Sequence, residues 1–229
     1  VTSIRGLIWD VDGTLSDTID LCVTSLQAAI EQQGGASYSR EEIIGMFGPT
    51  EEGILRNVVG DAWHNAIETY LLAYRKGHAE ADLAFPEVIG LVRELVDIGL
   101  PLAVVTGKGD ASCAITLESL GLVGVFDPVA CGSMDGSVKS IEIDRIVNGW
   151  GLEPASVVYI GDSPTDIIES RIAGVVAVAA AWKTDADVPA LQGKEPDVVV
   201  ANAAELREWL HSALDRGTIA SPPPGPDRR

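Results

Sequence analysis

The feature that most restricts this chain is a set of six short apolar runs spread along its 229 residues. They fall at residues 4–9, 101–106, 126–130, 157–160, 175–181 and 197–200. Short, near-continuous apolar runs of this kind read as strands buried on both faces. Between them lie stretches with helical spacing, at 18–32, 88–97, 110–120, 140–150, 164–171 and 203–214. Strands alternating with helices mean βαβ units and a mostly parallel sheet. The expected fold class is α/β.

One interval breaks the alternation. From about 34 to 84 the signals are helical, with no convincing strand. Gly34-Gly35 stops the first helix, Ser39 with Glu42 forms a capping-box signature, Thr50 precedes Glu51-Glu52 as a helix start, and 61–75 is a third helical segment. The expected organisation is a core from 1–15 and 86–214, with a helical insert at 16–85 after the first strand. The Pro-rich end, 215–229, is expected to be a disordered tail.

Ligands of open parallel sheets bind outside the carboxyl ends of the strands. Asp10, Asp12, Gly13 and Thr14 follow the first run, and Thr106-Gly107-Lys108 follows the second. GDSPTD, with Asp162 and Asp166, follows the fourth. One such aspartate is explained by a turn or a helix cap; three polar clusters, each at a strand end, are not. Carboxylates gathered there suit a hard divalent cation, Mg²⁺, although Mn²⁺ fits the same atoms. Asp10 and Asp162 are the expected direct ligands, and Asp166 acts directly or through water. Asp12 contributes its backbone carbonyl, leaving its side chain for proton transfer.

Charge narrows the partners. Sixteen Lys and Arg against 34 Asp and Glu give a formal net charge of −18. That balance opposes nucleic-acid or anionic-membrane binding over the whole surface, and an anionic substrate needs a local basic site. Cys22, Cys113 and Cys131 are odd in number and form no CxxC pair, which fits buried thiols in a reducing compartment. No apolar run reaches 18 residues, and the first residues do not read as a signal peptide. A cytoplasmic protein, monomer or homodimer, is expected.

Four blocks carry a family resemblance: LIWDVDGTL at 7–15, Val104-Val105-Thr106, Lys139, and IGDSPTD at 160–166. With them the chain resembles the haloacid-dehalogenase-like hydrolase superfamily, and within it the phosphoglycolate-phosphatase-like branch. The resemblance implies a Rossmann-like three-layer core with a C1-type helical cap. It makes Asp10 the nucleophile that forms an aspartyl-phosphate. Asp12 protonates the leaving alcohol and then serves as base. Thr106 and Lys139 hold the phosphoryl oxygens, helped by the N–H groups of Val11, Asp12 and Gly107. Dehalogenase members lack an aspartate at the Asp12 position, so the resemblance points to phosphoryl transfer.

Two departures accompany it. Block two reads TGKG, which places Lys108 either on phosphate or in solvent at a helix start. Block three lacks the proline that many relatives have after the lysine. In the cap, 45–50 resembles the specificity loop, where Thr50 either caps its helix or offers its N–H to a carboxylate. Arg75 and Lys76 either meet a substrate carboxylate or are solvated. Ser16-Asp17 and 83–86 are the expected hinges. The implied function is a Mg²⁺-dependent phosphomonoesterase for a small phosphorylated metabolite such as 2-phosphoglycolate. The alternatives are a sugar-phosphate or nucleotide phosphatase, a phosphosugar mutase, or a non-catalytic binding domain.

Overall fold

A computed structural model of the chain describes residues 3–214. The expected tail at 215–229 lies outside the described residues. Six parallel strands form one sheet: β1 (Gly6–Trp9), β2 (Leu102–Val105), β3 (Val129–Ala130), β4 (Val157–Gly161), β5 (Val176–Ala180) and β6 (Val198–Val200). All six coincide with the apolar runs. The third is shorter than its run: only Val129 and Ala130 pair in register with β2, although Asp127 N already donates to the Leu102 carbonyl at 2.9 Å and Val104 N to the Pro128 carbonyl at 3.1 Å.

Successive β1 residues show why both faces need cover. Leu7 and Trp9 join one apolar cluster with α5 (Pro86–Asp97) and α10 (Ala203–Ala213). Ile8 joins another with α7 (Lys139–Trp150). Strand side chains alternate between faces, so helices on both sides are needed to bury them. The remaining helices of this part are α6 (Asp110–Ser119), α8 (Pro164–Ile172) and α9 (Val188–Gln192). The result is a three-layer α/β structure. The short α9, which carries Pro189 in its first turn, was not expected, since five residues show no readable period.

Strand order is β3-β2-β1-β4-β5-β6. The chain builds outward from β1 in one direction and then returns to build in the other. The reversal lies between β1 and β4, and such a switch point opens a crevice at the strands' carboxyl ends.

Four helices lie between β1 and α5: α1 (Ile19–Gln32), α2 (Arg40–Ile44), α3 (Glu51–Val59) and α4 (Trp63–Glu80). The Ser39–Glu42 capping box forms as expected. Helix α4 runs beyond the expected stop near 75, and Gly77 within it lies so close to Leu21 of α1 that any side chain would collide. These helices have their own interior, including Leu26, Ile30, Ile43, Leu55, Tyr70 and Tyr74, which Ile115 of α6 joins. The two crossings back to the sheet are tied together: Ser16 Oγ and Asp17 N both donate to the Leu83 carbonyl, at 2.9 and 2.8 Å.

Candidate active site

The crevice at the switch point holds the expected clusters. Asp10 leaves β1, Thr106 leaves β2, Asp162 leaves β4, and Asp166 sits in the first turn of α8. Asp10, Asp162 and Asp166 each present a carboxylate oxygen within 4.8 Å of the others, a spacing that admits one cation. Gly13, at φ +73°, brings its backbone so near Asp162 that a side chain there would run into the carboxylate.

Lys139, the first residue of α7, ties this group together. Its ammonium donates to Asp10 Oδ2 at 2.9 Å and to Asp166 Oδ1 at 2.5 Å. Asp166 also accepts from Ser163 N and Oγ in a second capping box, and the Tyr159 hydroxyl lies 3.1 Å from Oδ1. Burial alone would raise the Asp166 carboxyl, but Lys139 and Ser163 outweigh it and hold it below its ordinary range. Asp10 lacks those extra donors. Burial dominates there and lifts its pKa to about 6, despite Lys139. Its Oδ1 is buried without a hydrogen-bond partner. A buried carboxylate oxygen left open beside two further carboxylates fits a metal ligand. Burial, with Asp166 nearby, likewise lifts Asp162 to about 7, although Lys183 donates to its Oδ2 at 3.1 Å.

The second cluster is built around Lys108. The Lys108 side chain is 2% exposed, which removes the reading of a solvated helix-start lysine. Its ammonium donates to both Asp12 oxygens, at 3.1 and 3.2 Å, and reaches Cys22 Sγ at 3.4 Å. It also pairs with Glu51 at 3.4 Å and sits over the Tyr74 ring, 4.4 Å from its centre. Burial would depress this lysine; the surrounding anions, Asp12 first, raise it well above its usual value. The Asp12 carboxylate also accepts from Thr18 Oγ1 at 2.5 Å. It therefore stands apart from the acidic triad, so only the Asp12 backbone carbonyl is left for the expected role in metal binding.

Glu51 and Lys183 escaped the sequence reading. Glu51 looked like a surface acid favoured by a helix start. It is buried instead, accepting from Gly109 N at 2.7 Å, Ser112 Oγ at 2.7 Å and Tyr70 Oη at 3.0 Å. Lys183 lies just past β5, so the strand-end rule was available to find it.

Other expectations resolve plainly. Thr106 is buried and lines the cavity with Gly107. No described backbone carbonyl accepts from the N–H groups of Val11, Asp12 or Gly107, which leaves them for an anion. Thr50 caps α3, and its N–H donates to the Ser133 carbonyl at 2.9 Å, so that N–H is not offered to a substrate carboxylate. Arg75 and Lys76 are exposed and paired with Glu118 and Glu80. No described helix is long and apolar enough to cross a membrane.

The sequence profile of the haloacid dehalogenase-like hydrolases matches residues 7–180. The chain belongs to that family. It is an enzyme, and its named relatives are phosphatases. A putative pyrophosphatase from Caldanaerobacter subterraneus is 28% identical over 206 residues, covering 89% of this chain and 93% of its own. A phosphoglycolate phosphatase from Agrobacterium fabrum is 27% identical, covering 93% and 96%. Among solved structures, a predicted phosphoglycolate phosphatase from Haemophilus somnus superposes with a TM-score of 0.77 at 19% identity, covering 91% of this chain and 99% of its own. That likeness establishes the fold of this haloacid dehalogenase-like hydrolase.

Proposed function

We propose that this hydrolase is a Mg²⁺-dependent phosphomonoesterase working through an aspartyl-phosphate on Asp10. The observation that carries the reading is the open Asp10 Oδ1, buried beside Asp162 and Asp166 at the sheet's switch point. Asp10, Asp162, Asp166 and the Asp12 carbonyl would hold the cation. When bound, it draws Asp10 and the phosphate together and offsets their repulsion.

The chain's own residues divide the remaining work. Asp10 attacks phosphorus as the bond to the ester oxygen breaks, and Asp12 delivers a proton to the departing alkoxide. Water then attacks the aspartyl-phosphate, Asp12 takes its proton, and Asp10 is released with inorganic phosphate. Lys139, Thr106 and the free N–H groups of Val11, Asp12 and Gly107 hold the phosphoryl oxygens. Residues 16–85 serve as a cap that closes over the ester and excludes water. The relatives' names favour a small phosphorylated substrate, with 2-phosphoglycolate and pyrophosphate the named examples.

Phosphate release from 4-nitrophenyl phosphate, with and without Mg²⁺, tests the reading. Turnover is expected only with a divalent cation, and Asp10→Asn is expected to abolish it. Undiminished turnover by Asp10→Asn overturns the nucleophile.

A further inference from the structure

The cavity between the sheet and the four inserted helices has a volume of about 310 Å³, at the small end for a ligand site. Its two ends differ. The sheet end carries the phosphate-binding groups described above. The wall supplied by the inserted segment is largely apolar, with Ile19, Leu26, Ile44, Phe47, Pro49 and Ile54 beside Cys22 and the Glu51 carboxylate. Phe47 is 39% exposed.

Among the described residues, no unpaired positive charge faces that wall. Of the residues lining the cavity only Lys108 and Lys139 are cations, and Lys139 is held between Asp10 and Asp166. Lys108 is shared by Asp12 and Glu51, and Glu51 is itself fixed as an acceptor by Gly109, Ser112 and Tyr70. The arginines and the lysine of residues 16–85 are turned to acids elsewhere: Arg40 to Asp20 and Asp185, Arg56 to Asp135, Arg75 to Glu118 and Lys76 to Glu80. A second anionic group on the substrate would be desolvated against isoleucine and proline, close to the Glu51 carboxylate. Burying an unpaired charge in this way is costly.

Resting on the phosphatase reading, we infer that the alcohol half of the substrate is uncharged and presents an apolar face. The wall selects a compact aromatic or branched alkyl phosphate over 2-phosphoglycolate or pyrophosphate. Phe47 and the isoleucines are its specificity-determining residues, and Lys108 is not a contact for a second anion.

The test compares kcat/KM of the Mg²⁺-saturated full chain for benzyl phosphate, 2-phosphoglycolate and pyrophosphate. The alcohol half of benzyl phosphate departs as an unactivated alkoxide, so phenol-like leaving-group activation does not favour it in the comparison. It is expected to exceed both others by at least about tenfold, the discrimination a pocket of this kind supplies. Equal or better kcat/KM for 2-phosphoglycolate or pyrophosphate overturns the inference and leaves the phosphatase reading standing. No release from these three or from 4-nitrophenyl phosphate removes the phosphatase reading, and the inference with it. Ile44→Arg places a cation in the wall and is expected to cut the benzyl-to-phosphoglycolate ratio at least about tenfold. Phe47→Arg, at the more exposed position, replaces it if melting shows that Ile44→Arg does not fold. An unchanged ratio in the folded variant overturns the wall's role.

Discussion

Two buried lysines line this cavity, each shared between two carboxylates, and they differ in what they join. Lys139 links Asp10 and Asp166, both placed by the sheet and its flanking helices. Lys108 links Asp12 at the end of β1 to Glu51 at the start of α3, so its Glu51 half exists only while the inserted helices lie against the sheet, whereas its Asp12 half does not depend on them. The first arrangement is internal to the rigid part. The second is assembled across the interface, together with Thr50 N on the Ser133 carbonyl and Tyr74 Oη 2.8 Å from Thr116 Oγ1. On the proposed function, one lysine belongs to the machinery that meets phosphate, whereas the other positions Asp12.

The largest expected effect comes from breaking the rigid pair. Lys139→Met is expected to lower kcat/KM for an aryl phosphate by about 10³-fold, the scale of a lost transition-state cation or donor. Steady-state kinetics checks this, and a loss below tenfold contradicts the phosphate role.

Lys108→Met comes next. It is expected to reduce kcat by roughly 10²-fold, through misplacement of Asp12, with a smaller change in KM. It also leaves Glu51 buried without its cation, at a cost of about 3 kcal/mol or more in urea unfolding. The double variant Lys108→Met with Glu51→Gln, whose amide oxygen still accepts from the buried donors around it, is expected to regain much of the stability but none of the kcat. Recovery of both would reduce Lys108 to a structural partner of Glu51.

Metal and pH sharpen the contrast further. Asp10 and Asp162 hold protons more readily folded than unfolded, because burial lifts them to about 6 and about 7 from an ordinary value near 3.8. The folded state therefore binds more protons, and the metal-free protein loses stability as pH rises from about 4 through about 7. A cation needs these carboxylates ionised, so its stabilisation grows over the same window. At about a hundred times its dissociation constant, Mg²⁺ is expected to add about 2.7 kcal/mol at pH 8. Melting curves should show a rise of about 5–10 °C there and much less at pH 5.5. Equal increments at both pH values would remove these groups from the metal site.

The smallest effect is expected from Ser112→Ala, which takes one donor from Glu51 and costs about 1 kcal/mol in urea unfolding. The Mg²⁺-dependent gain in melting temperature should be untouched, since Ser112 serves only the Lys108 side. A reduced gain would show the two lysine clusters to be coupled.

Much of this was legible in the chain itself. A parallel strand buried on both faces writes a continuous apolar run, and each run names the polar residues at its carboxyl end. Asp10, Thr106, Asp162 and Asp166 were found that way, and Gly13 and the capping boxes follow from local backbone needs. Glu51 and Lys183 were not. Glu51 meets Ser112 61 residues away, and no local pattern marks it as buried; Lys183, just past β5, meets Asp162 21 residues away, a pairing that its strand-end position does not name.

By itself the sequence determined the α/β alternation, the helical insert and the acidic residues at the strand ends, because each depends on short-range periodicity or turn chemistry. Tertiary structure alone decided that Asp10 keeps an open oxygen while Asp166 does not. It also decided that Lys108 is turned onto Asp12 and Glu51, and that the wall opposite the phosphate groups is largely apolar. The physical reason is that burial and charge pairing are set by which distant segments pack together, and that packing changes the state of a side chain whose identity the sequence only names.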